Sequence, residues 1–277
     1  MSDFLLRTIL KSVECVRKEA CMKPQIIARL DSTEDEFPYL KIHMGNNRYS
    51  NGGNQSWWGS KMQIKEDDKR SQLKKTLADS FYRMQENGCG VIALCDMEIY
   101  MAPGNKKTWE MKDYMDYVEE KYKNRYRLGK NAIDCTIGLN PFKMIAGLKK
   151  FFAENKYQKC RFKWAPFWVQ GKKKQRESVL EKITEMLTAG TPVVFASHSF
   201  KKGGGVSLYP SAEAFLQKKA EQKPNGHYMT IIGLMKMEEL SDNYVLEVIS
   251  WGRRYLVDFE EFANGLTYFQ NILGVFL

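Results

Sequence analysis

Asn87-Gly88-Cys89-Gly90-Val91-Ile92-Ala93-Leu94-Cys95-Asp96-Met97-Glu98-Ile99-Tyr100-Met101 is the stretch from which the rest of the chain can be organised. It is apolar on nearly every side of a helical wheel, and a helix of that kind belongs in the middle of a core. Pro103-Gly104 marks its end. Upstream, Leu73, Leu77, Phe81 and Met84 recur at helical spacing and stop at Glu86-Asn87-Gly88. A thiol therefore stands, between two glycines, at the first turn of a buried helix.

Outward from this helix the period of the pattern changes. From the start to about residue 190 it is mainly helical. An amphipathic segment runs from Met1 to Glu19, a surface helix spans 108–126, and a helix opens at Asn140-Pro141, a capping residue followed by proline at the first helical position. Cys160, Phe162 and Trp164 then alternate with basic residues as in a strand. A helix with Val179, Ile183, Met186 and Leu187 closes at Ala189-Gly190, and Pro192–His198 reads as a buried strand. The polar stretch 199–226, with a short helix near 211–220, reads as a mobile cover over whatever cleft the next strand borders. Strands follow at His227–Met235, Tyr244–Ser250 and Arg254–Val257, then a short helix at 258–264 and a last strand, Thr267–Phe276. The expectation is an α+β fold in a single domain, 1–277, mainly helical over about 1–155 and mainly antiparallel β over about 156–277.

Composition narrows the function classes. With 277 residues, 43% of them hydrophobic, the chain can bury a large core. No stretch reaches the roughly 18 apolar residues of a membrane span, so no membrane partner and a cytoplasmic location are expected. Six cysteines without a Cys-x-x-Cys pair, and three dispersed histidines, predict free thiols, no metal site and no cofactor. The net charge of +10 comes from 43 basic residues interleaved with 33 acidic ones, so nucleic acid is not the expected partner. The densest basic run, Lys172–Arg176, reads as a solvated loop ahead of a helix.

Two features carry chemistry. Unpaired N–H groups and the positive dipole end at a helix start stabilise a thiolate, which makes Cys89 a candidate nucleophile; the same N–H groups can hold an oxyanion. The bland alternative is a buried cysteine in a glycine-flanked turn. Gly226-His227-Tyr228-Met229-Thr230-Ile231-Ile232-Gly233 places a histidine at the mouth of an apolar strand, where it can exchange a proton with a thiol. His198, at the end of the preceding strand, is the competing base. His43 reads as a surface residue without a partner, and Gly203-Gly204-Gly205 as a flexible loop because it lacks the Gly-Lys-Ser/Thr ending of a phosphate loop.

A Gly-Cys-Gly opening a hydrophobic helix, a late Gly-His-Tyr strand and the following Ser250-Trp251-Gly252 resemble the papain-like cysteine peptidase superfamily. The nearest likeness is to its compact bacterial members related to the double-glycine leader peptidases that process bacteriocin precursors. Gly190-Thr191-Pro192-Val193-Val194 matches their strand pattern, and the likeness spans roughly residues 50–265. It implies a papain-like fold, the nucleophile helix packed on a sheet that carries the base, with Cys89 as nucleophile, His227 as base and a peptide or amide substrate. The group orients its histidine with a later Asn or Asp. The position before Ser-Trp-Gly is Ile249 here, so Ser250 is the nearest polar substitute, with Glu247 and Asp258 as outsiders. The group's oxyanion glutamine has two counterparts, Gln85, only four residues before Cys89, and Gln55, in a Gly- and Trp-rich segment. The implied activity is a cysteine hydrolase working through an acyl-enzyme. Acyl transfer on the same site, or a catalytically silent papain-like binding protein, are the alternatives.

Overall fold

The computed structural model describes residues 25–30, 39–61, 80–103, 108–129, 138–155, 161–166, 173–197, 205–237, 243–265 and 271–276. The amphipathic segment 1–19, His198, Gly203-Gly204 and the cysteines at 15, 21, 135 and 160 lie outside them.

The fold is mixed α+β, with an antiparallel sheet in the second half of the chain. Strands β5 (Arg161–Pro166), β6 (Val193–Ser197), β7 (His227–Lys236), β8 (Tyr244–Ser250), β9 (Arg253–Asp258) and β10 (Asn271–Phe276) lie in the order β5-β10-β6-β7-β8-β9. The seventh strand comes from the other half of the chain. β1 (Gln25–Arg29) pairs antiparallel with residues 233–236 of β7, while β6 pairs with 227–231 of the same strand. Every residue of β7 from His227 to Met235 is buried. A strand buried on both faces needs cover on each, and helices α2 (Cys89–Met101) and α5 (Lys173–Thr188) both pack against it.

The buried helix is α2, and of its thirteen residues only Tyr100 is not fully buried. It is flanked by α3 (Met111–Asn124) and α4 (Pro141–Glu154). Asn140 caps α4 as its sequence predicts, its side chain accepting from the Phe142 N–H at 2.8 Å. Gly190, at φ +70°, follows the end of α5.

The helical reading of the first half misses four strands. Besides β1, the short strands β2 (Lys41–His43), β3 (Tyr49–Asn51) and β4 (Thr108–Glu110) form a separate sheet in the order β3-β2-β4. A three-residue strand offers too little alternation to be seen as period two. β4 also occupies the start of the stretch read as a helix over 108–126. Lys173–Arg176 form the first turn of α5 and are helical instead of a loop. A short helix α1 (Trp57–Lys61) follows β3, α6 (Ala212–Leu216) precedes β7, and α7 (Phe259–Gly265) precedes β10.

The segment before β7 differs from the open cover expected of it. Residues 205–226 are tied to β9 by paired hydrogen bonds between Tyr209 and Leu256 (3.0 and 2.8 Å), and Leu208 bridges Gln222. Val206, Leu208, Tyr209 and Phe215 are buried. Tyr209 and Phe215 join Met235, Met237 and Val245 in a small satellite core. The sparse apolar residues of this stretch are its anchors.

Candidate active site

Cys89 sits where one helix passes into the next. Residues 80–87 are helical, Gly88 interrupts, and α2 begins at Cys89. A side chain at Gly88 would place its Cβ 2.1 Å from the Met84 carbonyl oxygen, and one at Gly90 would press within 3.0 Å of Leu139 and Tyr228. The two glycines let the turn close and let the first turn of α2 lie against β7. In an uninterrupted helix the Cys89 N–H would bond the Gln85 carbonyl. That carbonyl instead receives Gln55 Nε2 at 2.8 Å.

Cys89, His227 and Ser250 line one cavity of about 20 Å³, together with Gly53, Gln55, Asp96, Thr230, Ile249 and Trp251 among others. That is room for about one water molecule. Three elements meet there: the start of α2, the start of β7 and the end of β8. His227 Nε2 lies 2.8 Å from Ser250 Oγ. This pairing leaves Nδ1 as the ring nitrogen free to meet the thiol. No hydrogen bond joins the Cys89 thiol to the ring among the described residues.

Trp251 is a contributor that the sequence motif names but whose role it does not reveal. It stacks on the His227 ring, with centroids 4.2 Å apart and planes 20° from parallel. It does so from a two-residue turn between β8 and β9, in which Trp251 has φ +48° and Gly252 φ +73°. Positive φ at both central residues is the type I′ hairpin turn. A bulky residue there is strained by about 1–3 kcal/mol, so its neighbours must hold it. The imidazole stack and a hydrogen bond from Asn54 Nδ2 to the Trp251 carbonyl (3.1 Å) do so.

Burial dominates the electrostatics. It pushes the Cys89 thiol up, and the backbone N–H groups of Tyr228, Gly90 and Cys89 pull it only partly back. It pushes His227 down from 6.5 to about 3. Asp96 rises from 3.8 to about 7, again through burial, against the opposing bonds from Tyr114 and Gly53. The resting pair is therefore a neutral thiol and a neutral imidazole. The thiolate expected at the helix start is not the ground state, because desolvation exceeds what a few N–H groups return.

Of the remaining sequence candidates, Gln55 stays at the cavity and the others fall elsewhere. Gln55 lines the cavity, with one Nε2 proton engaged by the Gln85 carbonyl and its buried Oε1 without a partner among the described residues. Gln85 is not among the lining residues; its side-chain oxygen lies 2.8 Å from where a Cβ on Gly59 would stand. Glu247 pairs with Arg29 (2.9 Å) and Arg254 (3.2 Å). Asp258 binds Lys218 and accepts from the N–H groups that start α7. His43 is not alone, since its Nδ1 meets Glu110 at 3.0 Å. None of the described residues 205–226 lines the cavity. Among the described residues, no group of three or more His, Cys, Asp or Glu is disposed to hold a metal ion, and no helix is long and apolar enough to cross a membrane.

No family model, curated protein or solved structure matches this chain.

Proposed function

We propose that the protein is a papain-like cysteine hydrolase acting on a peptide or amide, with Cys89 as nucleophile, His227 as base, Ser250 as the residue that orients the imidazole, and Gln55 with the Cys89 N–H as the oxyanion donors. The observation that carries this reading is the convergence of Cys89 at a helix start and His227, Nε2 paired with Ser250, in one cavity. The sulfur attacks the carbonyl carbon as its proton passes to His227 Nδ1. The imidazolium returns that proton to the leaving amine, and water then releases the acyl group. Holding His227 near 3 makes its charged form about 5 kcal/mol less favourable than in water. A thiolate 4 Å away would return about 4 kcal/mol at an effective dielectric of 20. Burial raises the Cys89 thiol as well, so this return does not cover the cost of moving the proton, and the transfer accompanies the attack instead of preceding it. Localisation in the cytoplasm and freedom from metal or cofactor belong to the same proposal.

The same neutral pair favours a second reading, a papain-like protein that binds without turnover. Ser250 brings no charge to stabilise an imidazolium, unlike an orienting Asp. Treatment with a peptidyl electrophile, followed by peptide mapping, separates the two. Modification at Cys89 that disappears in His227→Ala supports the hydrolase. Modification confined to other cysteines removes it; where Cys89 is modified, a fluorogenic peptide library with added amine acceptors reads hydrolysis against acyl transfer.

A further inference from the structure

The loop that carries Gln55 is held by a residue for which the catalytic chemistry has no use. Asp96 stands seven residues after Cys89, two turns along α2 on the same helix face. It lines the same cavity and is 3% exposed. Its Oδ2 accepts the Gly53 N–H at 2.9 Å and its Oδ1 accepts the Tyr114 hydroxyl at 2.6 Å. Space around the loop is exhausted: a Cβ at Gly53 would fall 1.9 Å from the Tyr114 oxygen. Two residues on, Gln55 reaches the Gln85 carbonyl, and between them Asn54 binds the Trp251 carbonyl.

We propose that Asp96 is the positioning residue for the oxyanion side of the site, holding Gly53 so that Gln55 stands beside Cys89. This rests on the reading of Cys89 as a nucleophile. A buried N–H left without an acceptor is costly, and a carboxylate satisfies it more strongly than a neutral group. No lysine or arginine pairs with Asp96 among the described residues, so its accepting capacity goes to the loop and to Tyr114. The titratable groups around it are Tyr114 from α3, Tyr39 ahead of β2, Cys95 on α2, and Cys89 and His227 across the cavity. With burial holding it near 7, the strength of the Gly53 bond varies with pH close to neutrality.

The test uses Asp96→Asn and Asp96→Ala in the full chain, with two readouts. The first is the Gly53 amide by NMR. Its proton shift should titrate near pH 7 in wild type and stop titrating in Asp96→Asn, and its hydrogen exchange should accelerate at least tenfold in Asp96→Ala. An amide indifferent to both variants overturns the proposal whatever the enzyme does. The second is affinity for a peptide aldehyde: the Cys89 sulfur bonds to the aldehyde carbon, and the thiol proton ends on the former carbonyl oxygen, in the oxyanion position. Gln55→Ala should weaken this binding on the order of 100-fold, the effect of one oxyanion donor. Asp96→Ala should weaken it on the order of tenfold or more, and the double variant no further than Gln55→Ala alone. Alkylation by iodoacetamide, which forms no oxyanion, should change less than about twofold. Additive losses, or an equal fall in alkylation, overturn the positioning role. If wild type takes no aldehyde while Gly53 still answers to Asp96, the nucleophile reading has failed and the oxyanion role with it, although the loop contact stands.

Discussion

Burial pulls the titratable residues of the cavity away from their ordinary behaviour, and in opposite senses for acid and base. Because the Cys89 thiol is raised and His227 lowered, alkylation of Cys89 by iodoacetamide should climb with pH through 9 and above, with no plateau beginning near pH 6. It should still outpace Cys95, which is wholly buried. A plateau from pH 6, lost in His227→Ala, would mean an ion pair in the resting site. Asp96 and His227 also set opposing pH dependences of stability. For Asp96, raised from 3.8 to about 7, the contribution is full below the unfolded value and is lost as pH rises through the folded one. For His227, lowered from 6.5 to about 3, it is present above 6.5 and is lost as pH falls toward 3. Each slope is about 1.4 kcal/mol per pH unit, so between pH 4 and 6.5 the two nearly cancel. Glu98, also raised by burial, adds to the sense of Asp96. Urea midpoints across pH should expose this. Asp96→Asn should lose stability as pH drops from 6.5 to 4, and His227→Gln should lose it as pH rises over that range.

At the scale of elements, α2 supplies core and, in the proposed reading, the nucleophile, and the two roles can be separated. Leu94 is fully buried, and Leu94→Ala should lower stability by about 2–5 kcal/mol through the cavity it leaves. It should leave Cys89 labelling by a peptidyl electrophile within a factor of a few. Gly88→Ala should do the reverse. Its Cβ meets the Met84 carbonyl, which is backbone and cannot rotate aside, so the start of α2 must shift and carry Cys89 with it. Labelling should fall by more than the loss of stability explains. The anchored segment 205–226 makes a further case. Bound to β9 and buried at Leu208 and Phe215, it should resist limited proteolysis in the native protein, with or without an inhibitor on Cys89. Early cleavage there would return it to the role of a mobile cover.

For the molecule as a whole, the junction between its halves is β1 on β7. It adds a seventh strand to the sheet from a part of the chain otherwise mainly helical, and one hydrophobic core includes residues from Ala28 to Ala263. Arg29 ends β1 and meets Glu247, a carboxylate 2% exposed on β8, which Arg254 on β9 also approaches. Removing one partner of a buried ion pair leaves the other charge uncompensated, typically at about 3–5 kcal/mol. Arg254 remains, so Arg29→Ala should sit at the low end, near 3 kcal/mol, by urea unfolding. Labelling of Cys89 at 25 °C should hardly change, since Glu247 does not line the cavity. A loss of labelling with stability intact would mean that the junction reaches the site.

The chain by itself determined the elements long enough to show a period and the residues marked by unusual neighbours. α2 was legible because an all-round apolar helix has only one place to go, β7 and β8 because long buried runs bounded by turn residues read as strands, and α4 because Asn140-Pro141 is a local signal. Cys89 and His227 stood out for the glycines beside them. Only the tertiary structure decided that β1 joins a sheet some 200 residues away in sequence, since strand pairing is a property of two segments and neither records its partner. The same holds for the choice between Gln55 and Gln85 as lining residue, for Trp251 against the imidazole, and for Asp96 beneath the loop of Gly53. Protonation states were beyond the sequence for a related reason: a helix start favours a thiolate locally, but desolvation is set by everything packed around the group, and here it is the larger effect.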